Sequence, residues 1–263
     1  MRTRLATAAL ALAATLPFTA QAQVQLKGLD RDMTGPRAQV LVLGTVHLRG
    51  MPAGFDPASL QGVLDRLAAF KPEIITIEAV PGEECDFVAR HAARYGQDFC
   101  ATTQAARAAT GLDVPTALAE VDKTLKAWPA QPTAAERRHL AALFLAGNDK
   151  TSAYVQWLHL PQGERHAGDG LDAALVALLE RLAAQNNEST LIAARLAARL
   201  GLQRVHPADN HTGDNLVIAD EEAFGKELRA AWDSGRAALN ETEKPVQAMS
   251  RADDLLQIGR AHV

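Results

Sequence analysis

The sequence predicts an α/β fold: a mostly parallel sheet core that carries a large all-helical insertion. Three observations lead there. Residues 39–44 (QVLVLG) form a continuous aliphatic run of the kind found in strands buried on both faces. Residues 73–78 (EIITIE) form a second such run, and the helical period of Leu60, Val63, Leu64 and Leu67 lies between the two. Strand, helix, strand at this spacing reads as a βαβ unit with a right-handed crossover, which sets the two strands side by side and parallel.

In chain order, the first segment reads as an address label. Arg2 and Arg4 precede an apolar run over 5–18, and Ala20-Gln21-Ala22 offers a small-x-small cleavage signal. Residues 1–22 are therefore expected to be a secretory signal peptide, with the mature chain starting near Gln23 in a periplasm or outside the cell. The alternative is a membrane anchor, but the run is short and contains Pro17. No later stretch is long and apolar enough to span a bilayer. Residues 23–257 are expected to form one α/β domain: a βαβ core over 38–80, the helical insertion over 83–200, and a return strand with helices over 201–257.

Within the insertion, helices are predicted at 83–95, 102–110, 115–127, 133–146, 150–159, 170–185 and 187–200. Breaks at Gly111, Pro129, Gly147 and the polar loop 161–170 separate them. Residues 203–207 (QRVHP) are expected to bring a third strand back to the sheet, with helices near 220–236 and 242–256 behind it. The last six residues, Ile258-Gly-Arg-Ala-His-Val263, translate one frame of a common sequencing-library adapter (ATC GGA AGA GCA CAC GTC). They are treated as a scar on a natural sequence cut short near Gln257, the alternative being a genuine carboxyl terminus that coincides with it.

Composition narrows the partners. Hydrophobic residues make up 48% and charged residues 22%, and the formal charge is −4 with no long basic run. Nucleic acid and anionic membrane surfaces are therefore poor partners; a small-molecule or peptide substrate is expected with the hydrolase reading given below. The two cysteines, Cys85 and Cys100, are expected to pair in an oxidising compartment, closing a loop worth about 3 kcal/mol. A catalytic cysteine is the sharper alternative, but no His or Asn signature flanks either residue.

The chemistry is expected at the carboxyl edge of the sheet, where open parallel sheets bind their ligands. Gly44-Thr45-Val46-His47 ends the first strand and delivers an imidazole, able to act as general base or metal ligand. Glu78 ends the second strand after three Ile and one Thr. A carboxylate there is costly unless it is paired, protonated or metal-bound; otherwise it caps the turn near Pro81. Asp209, past the third strand, is expected to add a supporting acid. His206 and His211 have metal-ligand chemistry but no ligand-like spacing. Glu188 suits the start of its helix, and Arg195, two turns on, either bridges to the carboxylates or is simply solvated.

The segments V-L-V-L-G-T-V-His47, K-P-E-I-I-T-I-Glu78, Asn187-Glu188 through Arg195-L-A-A-R-L-G-L, and V-H-P-A-Asp209 together resemble the exported bacterial branch of the TraB, Tiki, ChaN and erythromycin esterase clan. The resemblance covers residues 38–80 and 186–215. It implies an α/β fold with a site built from a first G-x-x-H, a strand-end Glu, an Arg and a second G-x-x-H. Branches of the clan are similar to metal-dependent proteases, antibiotic-ester hydrolases and a haem-iron-binding lipoprotein. His47 and Glu78 fall on the first motif and the strand-end Glu. No second G-x-x-H precedes Ile258, and Gly259-Arg-Ala-His262 only imitates one inside the suspect tail. The expected function is a periplasmic hydrolase, metal-dependent protease-like or esterase-like, with His47 and Glu78 holding a divalent metal or acting as base and its orienting acid. As cut short, such a chain would lack part of its site. The alternatives are a non-catalytic haem- or metal-binding protein of the ChaN type, and an inert, partly folded fragment.

Overall fold

The computed structural model describes residues 34–35, 38–45, 47–51, 54–95, 100–214 and 218–248. The chain divides into two units, Met1–Leu43 and Gly44–Val263. The expected signal peptide at 1–22 and the tail at 258–263 lie outside the described residues.

The expected sheet core is overturned. Among the described residues there are ten α-helices and one parallel sheet of two strands, each two residues long. The first predicted strand does not form: in the first unit, residues 38–43 carry no regular secondary structure, and Val40 and Val42 are 82% and 87% exposed. An aliphatic run specifies a strand only where another strand is available to pair with it. The βαβ unit therefore loses its first member, and the helical stretch read as an insertion is the body of the fold.

In the second unit, a 3₁₀ turn at Leu48–Gly50 and another at Pro57–Leu60 lead into α1 (Gln61–Phe70), which ends at Lys71 in the left-handed conformation. Strand β1 (Thr76–Ile77) follows, then α2 (Gly82–Arg90), α3 (Ala92–Tyr95), α4 (Gln104–Thr110) and α5 (Val114–Lys126). The central pair is α6 (Ala134–Ala146) and α7 (Lys150–His159); then come α8 (Ala173–Ala184), a π-helical segment (Ser189–Ala194), α9 (Arg195–Arg199), β2 (His206–Pro207) and the long α10 (Glu221–Ala248).

The helices begin where capping chemistry permits. The side chains of Asp113, Asp149 and Asp172 each accept a backbone N–H from three residues on, and Thr133 with Glu136 forms a reciprocal capping box. Gly111, at φ 73°, closes α4 in a conformation only glycine adopts cheaply. Residues 140–146 of α6 are buried all round, as in a helix at the centre of a core, and Phe144, Leu140, Ala153 and Val155 lie in the largest cluster. A second cluster gathers Leu48, Phe55, Leu60, Val63, Leu191 and Leu196. Gly82 packs so closely on Gly147 that a Cβ there would overlap the Gly147 carbonyl oxygen, so the start of α2 is locked to the α6–α7 turn.

The return segment reaches β1 by an unusual route. One face of α7 presents Ser152, Gln156 and His159, spaced so that they share a side of the helix. Ser152 Oγ donates to the Val205 carbonyl and accepts the Val205 N–H, both at 3.1 Å. Gln156 Nε2 donates to the Gln203 carbonyl at 2.6 Å, and His159 Nε2 to the Leu202 carbonyl at 3.0 Å. Burial depresses the His159 pKa and keeps its ring neutral, despite that carbonyl bond. These side chains satisfy backbone that a wider sheet would otherwise pair. β2 then pairs in parallel with β1, Thr76 beside His206 and Ile77 beside Pro207.

Candidate functional site

Two polar constellations occupy the places that the sequence singled out. The first is built on Leu48. That side chain is buried in the second cluster with Leu191 and Leu196, which fixes the chain just before it against the π-helical segment. There Glu188 takes both adjacent groups: Oε1 lies 2.8 Å from His47 Nδ1, and Oε2 accepts the Leu48 N–H at 3.2 Å. The start of that segment is set by Asn187, whose Oδ1 accepts the Ser189 N–H at 2.8 Å and whose carbonyl accepts from Thr190 Oγ1. Burial pushes the Glu188 pKa up, but hydrogen bonds from its own backbone, His47 and Leu48 outweigh it, so the carboxyl ionises more readily than usual. The His47 side chain is 76% exposed, so the pair adds little stability; its content is orientation. A proton on Nδ1, directed to the carboxylate, would leave Nε2 as the accepting nitrogen of the neutral ring.

His47 therefore does not arrive on a strand end, and its hydrogen-bonded acid is Glu188, not Glu78. Arg195 opens α9 half-buried and makes no hydrogen bond to Glu188 or Glu78. Its field acts on buried Tyr154, where burial raises the phenol pKa and Arg195 opposes it.

The second constellation lies at the carboxyl ends of β1 and β2. The Asp209 N–H donates to the Ala79 carbonyl at 3.0 Å, which brings Asp209 to the same end as Glu78. Both line a cavity of about 280 Å³ together with Asp149, His211 and the Cys85–Cys100 disulfide. Glu78 is exposed and Asp209 half-buried. His211 is held between two acids, with Nδ1 2.6 Å from Asp214 and Nε2 3.2 Å from Asp209, while its N–H donates to Glu84. The Asp214 hydrogen bond leads in raising the His211 pKa, so this ring favours the cationic form. The disulfide expected from the cysteine spacing is formed and forms part of the cavity wall.

Residues on either side of Glu188 join the constellations: Asn187, Ser189 and Thr190 line the same cavity. His206 faces a smaller neighbouring cavity of about 200 Å³, and burial lowers its pKa. The residue that sequence reading passed over is Asp149. It caps α7 through Oδ1, which accepts the Ser152 N–H at 2.9 Å, yet it is only 5% exposed and its Oδ2 has no partner. The Gly147-Asn148-Asp149 sequence ahead of a helix marks the cap; nothing in it marks the burial.

His47 Nδ1 and Glu188 Oε1 are committed to each other, and among the described residues no three His, Cys, Asp or Glu side chains converge on one point. Among the described residues, no helix is long and apolar enough to cross a membrane. Set against protein-family models, curated proteins and solved structures, the chain finds no match.

Proposed function

We propose that the chain acts as an exported hydrolase of small-molecule or peptide esters and amides, in which His47 is the general base and Glu188 holds it. The hydrogen bond from His47 to the Glu188 carboxylate carries this reading. A carboxylate on Nδ1 selects the tautomer whose Nε2 lone pair can take a proton, and it stabilises the imidazolium that results. Nε2 removes a proton from water as its oxygen attacks the substrate carbonyl carbon. The tetrahedral intermediate then expels the alcohol or amine, which takes the proton back from Nε2–H. No proton passes to Glu188. Glu78 and Asp209, at the cavity end of the two strands, contact the substrate rather than His47. The disulfide fits an oxidising compartment such as a periplasm.

Hydrolysis of p-nitrophenyl acetate by the purified chain provides the test. His47→Ala should remove turnover above background. Glu188→Gln should lower kcat by at least about tenfold with little change in KM, a part of the roughly 10²–10⁴-fold that general base catalysis supplies. Dialysis against a chelator should change neither parameter. Unchanged turnover in His47→Ala ends the proposal.

A second reading shares the same geometry. A histidine whose Nδ1 is anchored on a carboxylate, as His47 is on Glu188, would also suit a ligand to haem iron. Titration with haemin separates the two. A Soret shift that disappears in His47→Ala supports the binding protein, and an unchanged spectrum counts against it.

A further inference from the structure

We propose that α10 is a docking surface and that its occupant is the same helix of a second copy of this chain, the two lying parallel and in register. α10 runs for 28 residues, yet among the described residues none along it is buried, and no other helix or strand packs along its length. Helices in folded proteins draw most of their stability from an apolar face packed against a neighbour. α10 has such a face: Phe224, Leu228, Ala231, Trp232 and Gly235 fall within about 100° of its circumference. Phe224, Leu228 and Trp232 are 51%, 51% and 63% exposed, so the largest side chains of the stripe stand in water.

Charge names the occupant and its direction. Arg229 and Arg236 border one side of the stripe, and Glu227 and Glu241 border the other. In a parallel pair related by a two-fold axis along the helices, the basic border of each helix meets the acidic border of its partner on both sides. An antiparallel pair sets basic against basic and acidic against acidic. Arg236 also bonds Asp233 on its own helix, an exposed pair of a kind worth little, so it does not tie the guanidinium to that face.

The apolar residues agree with that direction. Phe224, Leu228 and Trp232 crowd the start of the helix, whereas Ser234, Gly235, Arg236, Ala237, Asn240 and Glu241 further along are small or polar. Full antiparallel overlap would set the large side chains against these; parallel overlap sets each against its own counterpart. A Cβ added at Gly235 meets nothing within 4 Å, so the second helix can approach closely there. A lipid surface is the poorer occupant, because acids outnumber bases along the described part of the helix. The inference stands apart from the hydrolase reading, since α10 carries none of the residues of either constellation.

Sedimentation equilibrium of the purified chain over a wide concentration range tests it. The chain should dimerise reversibly, and Leu228→Glu and Trp232→Glu should each raise the dissociation constant by at least about tenfold, the loss expected when a charge replaces a large apolar side chain in the contact. Both side chains are exposed in the single chain, so these substitutions should leave the core folded. Direction is read from Gly235→Cys. The native cysteines are bonded to each other, so mild oxidation should join the introduced thiols of two copies across the axis. In an antiparallel pair centred on Leu228 those positions would lie about 20 Å apart, too far for a disulfide. A monomer at every concentration, a dimer indifferent to both glutamate substitutions, or a dimer that Gly235→Cys does not cross-link would each overturn the proposal. Binding of phosphatidylcholine vesicles by a monomeric chain, lost in Trp232→Glu, would assign the face to lipid and overturn it as well.

Discussion

Asp149 serves the helix with one oxygen and burdens the fold with the other, and the balance between the two can be measured. Its Oδ1 caps α7 by accepting from Ser152, a role that asparagine fills equally well. Its Oδ2 lies buried without a donor, and burial raises the carboxyl pKa. A raised acid pKa in the folded state means that the group's favourable contribution is complete below the ordinary aspartate range and is lost as pH rises through the folded value. At neutral pH the buried acid is thus a net cost. Asp149→Asn should raise the stability of the ligand-free chain by about 0.5–2 kcal/mol at pH 7, the usual gain on relieving such a site. The advantage should fade on acidification. Thermal melts of both proteins between pH 3 and pH 7 decide it; a variant less stable at neutral pH would show that the charge is satisfied by its surroundings.

At the scale of elements, the helices were legible and the sheet was not, for one reason. Helical periodicity and caps are local, so Asp113, Thr133, Asp149 and Asp172 mark their own helix starts. A strand needs a partner that the sequence does not name, and QVLVLG carries no sign of whether one is present. The site divides in the same way. His47, Glu78, Glu188 and Asp209 are each conspicuous singly, but only Glu78 and Asp209 come together for the anticipated reason, the shared end of two parallel strands. The pairing of His47 with Glu188 depends on Leu48 packing in a cluster assembled from distant helices. The polar face of α7 was equally hidden, because Ser152, Gln156 and His159 look like ordinary helix residues until segment 202–205 lies across them. Ser152→Ala should therefore cost about 1–3 kcal/mol, since it leaves the Val205 N–H and carbonyl buried without partners. Urea unfolding measures this, and a loss under 0.5 kcal/mol would mean that water replaces the hydroxyl.

For the molecule as a whole, the Cys85–Cys100 bond links the stability of the core to the shape of the cavity. Cys85 is a buried member of α2, whose start is locked to the α6–α7 turn through Gly82, while Cys100 lies beyond α3 on the far side of the loop. The bridge spans 15 residues, and closing a loop of that length removes unfolded-state entropy worth about 3 kcal/mol. For a chain of this size that corresponds to a melting-temperature change of about 6–12 °C. The double variant Cys85→Ser, Cys100→Ser should melt lower by that amount, and reductant should lower the parent toward it without affecting the variant. Both cysteines also border the cavity, so the bridge holds part of its wall. An unchanged melting temperature would show that the loop is already constrained without it.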